Sequence, residues 1–333
     1  MTDTIFALSS GRGRAGVAVI RVSGPGAGAV IGDLAPNTPL KPRHAVLAWL
    51  IDPQTGDRLD QALVLWFPGP NSFTGEDVAE FHVHGGVAVV DGVLDALSTM
   101  AGCRAAEPGE FTRRAFDHGR LDLTAAEGLA DLIDADTPAR RRQAVRQMGG
   151  ALFKVYEDWR ERLITAMAHV EAGIDFADEG LPEDVADTAR PMVEAIAREM
   201  AAALADNARG EKIRDGIEIA IVGEPNVGKS SLLNVLARRD VAIVSDIAGT
   251  TRDLIEVHLD LDGYPVTLVD TAGIRDGGGD MIEAEGIRRA RARAEAADLK
   301  LVMVDAGDWP DIPEALGNLT GNNSITVANK IDR

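Results

Sequence analysis

Eight residues near the middle of the chain have the types and spacing of a phosphate-binding loop. Residues 223–230 read G-x-x-x-x-G-K-S. They follow the apolar run 217–222 and precede apolar residues at 232, 233, 235 and 236, which have the spacing of one helix face. Backbone N–H groups of such a loop surround phosphate oxygens, and the following helix adds the positive end of its dipole. We therefore predict a strand, a loop and a helix that bind a nucleotide.

The side chains of this loop have separate predicted roles. Lys229 is expected to reach the β- and γ-phosphates, and the hydroxyl of Ser230 is expected to hold Mg²⁺. Asn226 could offer its side-chain oxygen to a cation, or could simply stabilise the loop. A glycine-rich turn that precedes a helix by chance is the alternative, and the flanking pattern disfavours it. The predicted nucleotide-binding residues here are Asn226, Val227, Gly228, Lys229, Ser230 and Ser231.

Two segments further along the chain are typical of Mg²⁺ and γ-phosphate contacts. Asp270 opens the motif D-T-A-G at the end of a predicted strand, and it can bind Mg²⁺ through water. The N–H of Gly273 can contact the γ-phosphate. Thr251 lies between the first helix and the second strand, where its hydroxyl can also reach Mg²⁺. The predicted contacts of the D-T-A-G motif are Asp270, Thr271, Ala272 and Gly273.

The last motif predicts which base is bound. Asn329, Lys330 and Asp332 form N-K-x-D. The Asp332 carboxylate can accept hydrogen bonds from both N1–H and the 2-amino group of guanine, which adenine cannot offer together. Each short motif is weak alone, but all four in this order, each at a strand end, predict a GTP-binding domain.

The residue that would orient the attacking water is unusual. Ile274 follows D-T-A-G, where many GTPases carry a glutamine for this purpose. Glu283 and Glu285 lie just beyond three consecutive glycines, and either could orient the water or be a solvated residue at a helix N-terminus. We see no intrinsic arginine finger. A monovalent cation beside Asn226 would supply the missing positive charge.

Composition limits the partners of the chain. Its 333 residues suggest two or three domains, and 45% apolar with 26% charged residues is typical of a folded protein. Aromatic residues are only 4%, which argues against a stacking platform for single-stranded nucleic acid. The net charge of −19 excludes RNA binding through the overall field. A nucleic-acid contact must therefore use a local basic patch or a partner protein.

Cysteine content and hydropathy predict a cytoplasmic protein. The single cysteine, Cys103, excludes an internal disulfide and fits a reducing compartment, where we expect it to be a small buried residue. The N-terminus lacks the pattern of a signal peptide. No apolar run approaches the length needed to cross a membrane.

Residues 1–118 predict an α+β domain. Strands are expected at 4–8, 16–22, 62–67 and 78–83, and one clear helix at 87–100, with Gly102 as its C-cap. This domain and its neighbours give the predicted fold class, which is multidomain α+β and α/β.

Several polar residues of this domain fall within apolar strands. Glu80, His82 and His84 share one strand face. They could bind a metal, but we favour partly solvated or hydrogen-bonded histidines. Arg21 lies inside an apolar run and needs an anionic or polar partner. The sequence slightly favours a neighbouring carboxylate over a ligand.

Residues 119–210 predict a helical domain. A capping box from Thr124 to Glu127 opens a helix through 135, and Thr137 followed by Pro138 opens the next. That helix pattern extends to 174 with a break at 149–150, and a third helix is expected from 182–184 to 208, closed by Gly210. The arginines at 140–142 and 146 form one basic patch, which we interpret as a solvated helix face in preference to a binding surface.

Residues 216–333 predict a Ras-like domain with a mostly parallel sheet and outer helices. Strands are expected at 254–261, 266–269, 299–304 and 325–328, with a hairpin turn at 262–263 and a long helix at 283–297.

Together these motifs resemble the MnmE (TrmE) family of tRNA modification GTPases. The resemblance covers essentially the whole chain. It rests on the GTPase motifs and on four further segments, which are N-S-F-T-G-E-D at 71–77, P-G-E-F-T at 108–112, L-D-L-T-A-A-E at 121–127 and S-D-I-A-G-T at 245–250.

The resemblance implies an architecture and a function. It implies an N-terminal tetrahydrofolate-binding and dimerisation domain, a helical domain and an inserted GTPase domain. The family acts as a homodimer with a flavin-dependent partner, MnmG, in a heterotetramer. Together they install an aminomethyl or carboxymethylaminomethyl group at C5 of U34 in certain tRNAs.

The resemblance also implies roles for individual residues. Those matching the 5-formyl-tetrahydrofolate contacts are Arg21, Glu80 and Arg120. Those matching the K⁺ site are Asn226, Ser245, Ile247 and Thr250, within a nucleotide-binding loop that also holds Asp246, Ala248 and Gly249. Those matching the Mg²⁺ site are Ser230 and Thr251. The residue matching the catalytic, water-orienting glutamate is Glu283, with Glu285 as the alternative.

The chain ends just after N-K-x-D, whereas the family continues to a C-terminal C-x-G-K motif. We therefore expect an incomplete GTPase domain that retains folate binding and dimerisation, with weakened GTP binding. Two other functions remain as alternatives, a GTP-gated assembly switch of the ribosome-associated type and a non-catalytic folate-binding dimerising fragment.

Overall fold

The structure is a computed structural model, and it describes residues 3–39, 41–175, 188–237, 256–270, 292–310, 313–317 and 319–332. The chain divides into two compact units, Met1–Ala126 and Glu127–Arg333. Each unit has its own β-sheet. The boundary lies close to the predicted end of the first domain at 118, and the predicted limits of the three domains stay predictions.

The first unit combines a six-stranded sheet with three helices, in agreement with the predicted α+β class. The strand order is β3-β4-β5-β2-β1-β6, antiparallel throughout except for the parallel pair of β1 and β6. The strands are β1 Thr4–Leu8, β2 Ala15–Ser23, β3 Val46–Ile51, β4 Arg58–Phe67, β5 Val78–Gly85 and β6 Cys103–Ala105. The helices are α1 Ala27–Leu34, α2 Val87–Ser98 and α3 Glu110–Asp117.

Alternation along β2 and β5 sorts apolar and charged residues to opposite faces of this sheet. Ile20 and Val22 of β2 are fully buried, as is Phe81 of β5. Because successive side chains of a strand point to opposite faces, the residues between them face the other way. Arg21 and Glu80 are such residues, and they lie directly opposite each other in the β2–β5 register.

Three predictions for this unit were wrong. The sequence predicted one helix here, and the structure has three. The C-cap of α2 is Thr99 rather than Gly102, because the N–H of Thr99 bonds back to the last turn of the helix. Gly102 has a φ of +77° and lies in the turn before β6. Thr124 is not the N-cap of the next helix, because that helix begins at Leu123 and Oδ1 of Asp122 accepts both the Ala125 N–H and the Thr124 hydroxyl.

In the described residues that follow, up to 215, the helices are α4 Leu123–Ile133, α5 Pro138–Met148, α6 Ala151–Asp175 and α7 Ala189–Asp215. As predicted, Thr137 caps α5, with Pro138 in its first turn. Also as predicted, the helical conformation is interrupted at residues 149–150, between α5 and α6. The prediction that Gly210 closes the third helix was wrong. That helix continues to Asp215 and ends at Gly216, whose φ of +96° glycine adopts without steric cost. The predicted start at 182–184 lies outside the described residues.

The second unit contains a five-stranded sheet of order β11-β10-β7-β9-β8. All neighbours are parallel except β8 and β9, which form a hairpin. This confirms the predicted mostly parallel sheet. The elements are β7 Ile217–Gly223, α8 Lys229–Ala237, β8 Glu256–Leu261, β9 Tyr264–Asp270, β10 Leu299–Asp305 and β11 Ser324–Asn329, with a short helix at Glu314–Gly317. Residues 292–296 are helical, and the rest of the helix predicted at 283–297 lies outside the described residues.

The hairpin turn between β8 and β9 packs against the start of α5. Asp262 and Gly263 have φ values of +54° and +87°, as a two-residue type I′ turn requires. The Gly263 carbonyl accepts the Ala139 N–H at 3.0 Å. A Cβ added to Gly263 would lie 3.7 Å from the Pro138 ring. The turn is thus hydrogen-bonded to the first turn of a helix.

Among the helices of the described residues, none combines the length and the apolar composition needed to cross a bilayer.

Candidate functional site

The loop between β7 and α8 requires glycine for steric reasons. Gly228 has a φ of +107°, and a Cβ there would collide with the side-chain nitrogen of Asn329. A Cβ on Gly223 would collide with the backbone carbonyl of Met303 on the neighbouring strand β10. Asn226 also has a left-handed φ, of +62°, and its side chain is exposed. Close contacts therefore require glycine at both positions, and the backbone conformation requires it at Gly228 as well.

The Lys229 side chain folds back into this loop and bonds its backbone. Its Nζ donates to the carbonyls of Gly223 at 2.7 Å and Glu224 at 2.8 Å. The residue is only 7% exposed, although it carries a charge. Ser230 and Ser231 follow in the first turn of α8 and are exposed. An ammonium group, backbone N–H groups and a helix N-terminus thus meet at one place, which is the arrangement that binds phosphate.

The N-K-x-D motif is tied to the phosphate loop. Nδ2 of Asn329 donates to the Val227 carbonyl at 2.7 Å. Lys330 has a φ of +59°, and its Nζ contacts Oδ2 of Asp305 at 2.8 Å. Asp332 is exposed and accessible to a base. Asp305 was not among the predicted site residues, although its position at the carboxyl end of a predicted strand is typical of a functional residue in such a sheet.

The remaining predicted nucleotide contacts lie partly or wholly outside the described residues. Asp270 is the last residue of β9, and its backbone lies opposite Ile221 of β7. Nothing is described of its side chain. The other residues outside the described part are Ser245, Asp246, Ile247, Ala248, Gly249, Thr250, Thr251, Thr271, Ala272, Gly273, Glu283 and Glu285.

In the first unit, Arg21 and Glu80 form the ion pair that alternation places on the open sheet face. Nε and Nη2 of Arg21 both donate to Oε1 of Glu80, at 2.9 and 2.8 Å. Nε2 of His82 lies 3.3 Å from the other oxygen, Oε2. The expectation that Arg21 has a carboxylate partner is confirmed. The rings of Phe73 and Phe111 lie 5.0 and 5.8 Å from the guanidinium carbon.

Arg120 lies against the loop that carries Phe73. A Cβ added to Gly75, whose φ is +81°, would lie 2.9 Å from Cβ of His118 and 3.3 Å from Cγ of Arg120. The absence of a Cβ at Gly75 therefore lets the Arg120 stem approach this loop. Its charged end is exposed.

The other histidine of the strand is hydrogen-bonded. Nδ1 of His84 contacts Oδ1 of Asp60 at 2.8 Å. Within the described ranges, no group of three or more His, Cys, Asp or Glu side chains could hold a metal ion. The structure therefore agrees with the interpretation that His82 and His84 are hydrogen-bonded residues. Cys103 is half-buried rather than buried as predicted, and it packs against the core of the first unit, where burial raises the pKa of its thiol.

A buried arginine holds the segments around this ion pair together. The Arg114 side chain is fully buried, and it contacts Glu76 at 3.2 Å and both Glu110 and Asp3 at about 3 Å. Its Nε is the buried side-chain nitrogen for which the described part of the chain offers no hydrogen-bond partner. Burial by itself would lower the pKa of Arg114, but hydrogen bonds to Glu110 and Glu76 raise it above the ordinary value. No residue of this network was predicted from the sequence as a structural partner of Arg21 or Glu80.

A strand, a glycine loop that requires its glycines and an N-K-x-D motif bonded to that loop define a P-loop GTP hydrolase. Comparison with known proteins gives the family. The family model described as "GTP-binding protein TrmE N-terminus" matches residues 4–120, and "MnmE helical domain" matches residues 123–329. The chain belongs to the MnmE family of tRNA modification GTPases, as the motifs predicted.

Individual relatives agree with this assignment. The tRNA modification GTPase MnmE of Parvibaculum lavamentivorans is 56% identical over 333 residues, which cover 99% of this chain and 75% of that protein. The protein of the same name from Caulobacter vibrioides is 58% identical, covering 92% and 67%. The mitochondrial 5-taurinomethyluridine-[tRNA] synthase subunit GTPB3 of Danio rerio is 55% identical, covering 92% and 61%.

Proposed function

We propose that this chain hydrolyses GTP in a reaction that needs Mg²⁺ and K⁺ and serves the modification of the wobble uridine, U34, of certain tRNAs at C5. The observation that carries the GTP part is the 2.7 Å hydrogen bond from Asn329 to the Val227 carbonyl. It joins the motif for the guanine base to the loop for the phosphates. A guanine nucleotide could therefore contact both motifs at once.

The phosphates are held by the loop amides, by Lys229 and by the N-terminus of α8. In the structure the Lys229 ammonium bonds the carbonyls of Gly223 and Glu224, so its stem already points across the loop. A small shift would bring Nζ onto the β- and γ-phosphates while the loop keeps its shape. This position accounts for a buried lysine in an acidic protein.

The chain's own oxygen atoms would hold the two cations. For Mg²⁺ these are the hydroxyls of Ser230 and Thr251, with Asp270 acting through water. For K⁺ they are the side chain of Asn226 and the backbone of Ser245, Ile247 and Thr250. Asn226 and Ser230 fit, because both are exposed at the mouth of the loop and carry uncharged oxygen donors. When bound, the cations neutralise negative charge that develops on the phosphates.

Glu283 would orient the attacking water, with Glu285 as the alternative, because Ile274 has no polar group for this purpose. Asp332 would select guanine. Its exposed carboxylate is the acceptor for the two donor groups of that base.

The first unit would bind a one-carbon folate such as 5-formyl-tetrahydrofolate through Arg21, Glu80 and Arg120. Arg21 engages only one oxygen of Glu80, so the carboxylate keeps acceptor capacity for the N–H and amino groups of a pterin. The unit would also form the homodimer. Partnership with MnmG in a heterotetramer and contact with tRNA complete the proposal, and the group installed is of the aminomethyl or carboxymethylaminomethyl type.

The test is GTP hydrolysis measured in potassium chloride and in sodium chloride at equal ionic strength. We expect faster hydrolysis in potassium. Asn226→Ala should remove the potassium stimulation and leave the sodium rate nearly unchanged. Asn234→Ala is the matched control, because Asn234 is an exposed asparagine on α8. Equal rates in both salts would contradict the potassium site, and no hydrolysis in either salt would contradict the GTPase function.

A further inference from the structure

Two aromatic rings flank the guanidinium of Arg21. The Phe73 ring centre is 5.0 Å from the guanidinium carbon and the Phe111 ring centre is 5.8 Å away. Both distances are within the range in which a cation is attracted to an aromatic face. Glu80 holds the same guanidinium through Nε and Nη2. Arg21 is thus restrained by two rings and a carboxylate, on a side chain that is 24% exposed.

The two rings come from distant segments that the buried charges fix in place. Phe73 lies in the loop 71–77, whose Thr74 and Glu76 both hydrogen-bond the hydroxyl of Ser23, at 2.7 and 2.8 Å. Ser23 is the last residue of β2, the strand that carries Arg21. The loop is therefore anchored to the strand that it covers.

Phe111 is anchored from the other side. It lies in the first turn of α3, next to Glu110, which is buried and bonded to Arg114. Arg114 in turn bonds Glu76 of the loop at 3.2 Å. One buried arginine therefore joins the loop that supplies the first ring to the helix that supplies the second. Segments 71–77 and 108–112 have no role in the GTPase chemistry. The hydrogen bonds of Arg114 to Glu76 and Glu110 give both segments a structural role beside Arg21.

Restraint of Arg21 has a consequence for ligand binding. A free arginine loses rotamer entropy when it is ordered, and that loss weakens binding. Here the guanidinium is already ordered. Glu80 takes Nε and Nη2 through one oxygen, and its other oxygen contacts Nε2 of His82 at 3.3 Å, so both partners of the ion pair are held before a ligand binds.

We propose that Phe73 and Phe111 are positioning residues for Arg21 in the folate site. They hold the guanidinium against Glu80, so that the ion pair is already ordered when the ligand binds. The inference rests on the folate binding proposed above. It adds two residues and a physical role to that site.

The experiment is calorimetric titration of the full chain with 5-formyl-tetrahydrofolate. Phe73→Leu and Phe111→Leu keep apolar volume but remove the ring, and each should weaken binding roughly 2- to 30-fold. Phe73→Tyr and Phe111→Tyr keep the ring and should bind within about twofold of wild type. Phe116→Leu is the matched control, because Phe116 lies on the same helix with its side chain exposed, and it should bind as wild type.

The outcomes separate this inference from the folate proposal. Wild-type affinity in both leucine variants overturns the role of the rings and leaves the folate site standing. Equal loss in leucine and tyrosine variants, with a lowered melting temperature, shows a general packing role and also overturns it. A wild-type chain that does not bind the folate overturns both.

Discussion

The nucleotide site of the second unit and the Arg21–Glu80 site of the first unit are built from different parts of the polypeptide. The phosphate loop of the nucleotide site uses backbone groups within eight consecutive residues, with one bond from Asn329, which is 102 positions from Val227. The Arg21–Glu80 site uses side chains that are 59 residues apart in sequence. Its supporting arginine bonds a residue 111 positions away. The phosphate loop therefore depends mainly on local conformation, and the Arg21–Glu80 site depends on the complete fold of its sheet.

This difference predicts which substitutions should disrupt each site. The phosphate loop should tolerate changes elsewhere, provided that β7 and α8 form and that its contacts with Met303 and Asn329 are kept. A site assembled from distant strands fails when the charges that join its segments are no longer balanced. Variants that affect one site and spare the other therefore test the comparison directly.

The largest expected effect is on the stability of the first unit. Arg114→Leu leaves the carboxylates of Glu76 and Glu110 without their buried partner, which should cost about 3–5 kcal/mol. Hydrogen exchange should rise in β1 and β2 but not in β7 or β10, because all the partners of Arg114 described above lie in the first unit. Arg113→Leu is the control. Arg113 is exposed and its pair with Glu107 is at 3.4 Å, so the change should cost about 0–1 kcal/mol. Equal effects of the two variants would contradict the role of the buried network.

The next effect is on catalysis in the second unit. Lys229→Ala removes the ammonium that bridges the loop carbonyls and would reach the phosphates, so GTP hydrolysis should fall about 10²- to 10³-fold. Lys154→Ala, on the exposed side of α6, should leave the rate unchanged. Folate binding should be the same in both variants. An unchanged hydrolysis rate in Lys229→Ala would mean that the lysine only supports the loop.

The smallest effect is the response of the first unit to acid. Hydrogen bonds from Arg104, with further ones from the Glu107 N–H and Arg114, hold the pKa of Glu110 at about 2, below its ordinary 4.5. A carboxyl whose pKa is lower in the folded state stabilises the fold above pH 4.5 and loses that contribution as the pH falls toward 2. The contribution should be about 1–3 kcal/mol, because Arg104 is partly exposed and screened.

Thermal unfolding between pH 5 and pH 2.5 measures this contribution. The melting temperature of Glu110→Gln should fall less steeply with decreasing pH than that of wild type, because glutamine does not titrate. Parallel curves for the two proteins would show that Glu110 is not the responsible group.

The nucleotide loop could be predicted from sequence because its glycines, lysine and serine act at fixed local spacing. The strand at 4–8 was predicted for the same reason, since its pattern is local. Helix α1 was missed because its two glycines lower helix propensity. Its buried residues Ala27, Val30, Ile31 and Leu34 nevertheless have helical spacing.

Other features depend on contacts that no local pattern contains. Gly28 of α1 lies against Trp66 of β4, and such packing overrides propensity. The sequence predicted that Arg21 needs a partner, because a charge inside an apolar strand must be neutralised. The identity of that partner became clear only with the strand register. The Arg114 network was not predictable, because its members come from the N-terminus, a loop and a helix.

The hydrogen bond between Gly263 and Ala139 has a mechanical consequence for the second unit. The two strands of that hairpin run from the turn to residue 256 on one side and to Asp270 on the other. The bond at the tip is only 3.0 Å long, so it cannot stretch far without breaking. If either strand shifts along its axis, this hydrogen bond must break or the first turn of α5 must move with the hairpin. The turn therefore couples the position of the two strands to the position of α5.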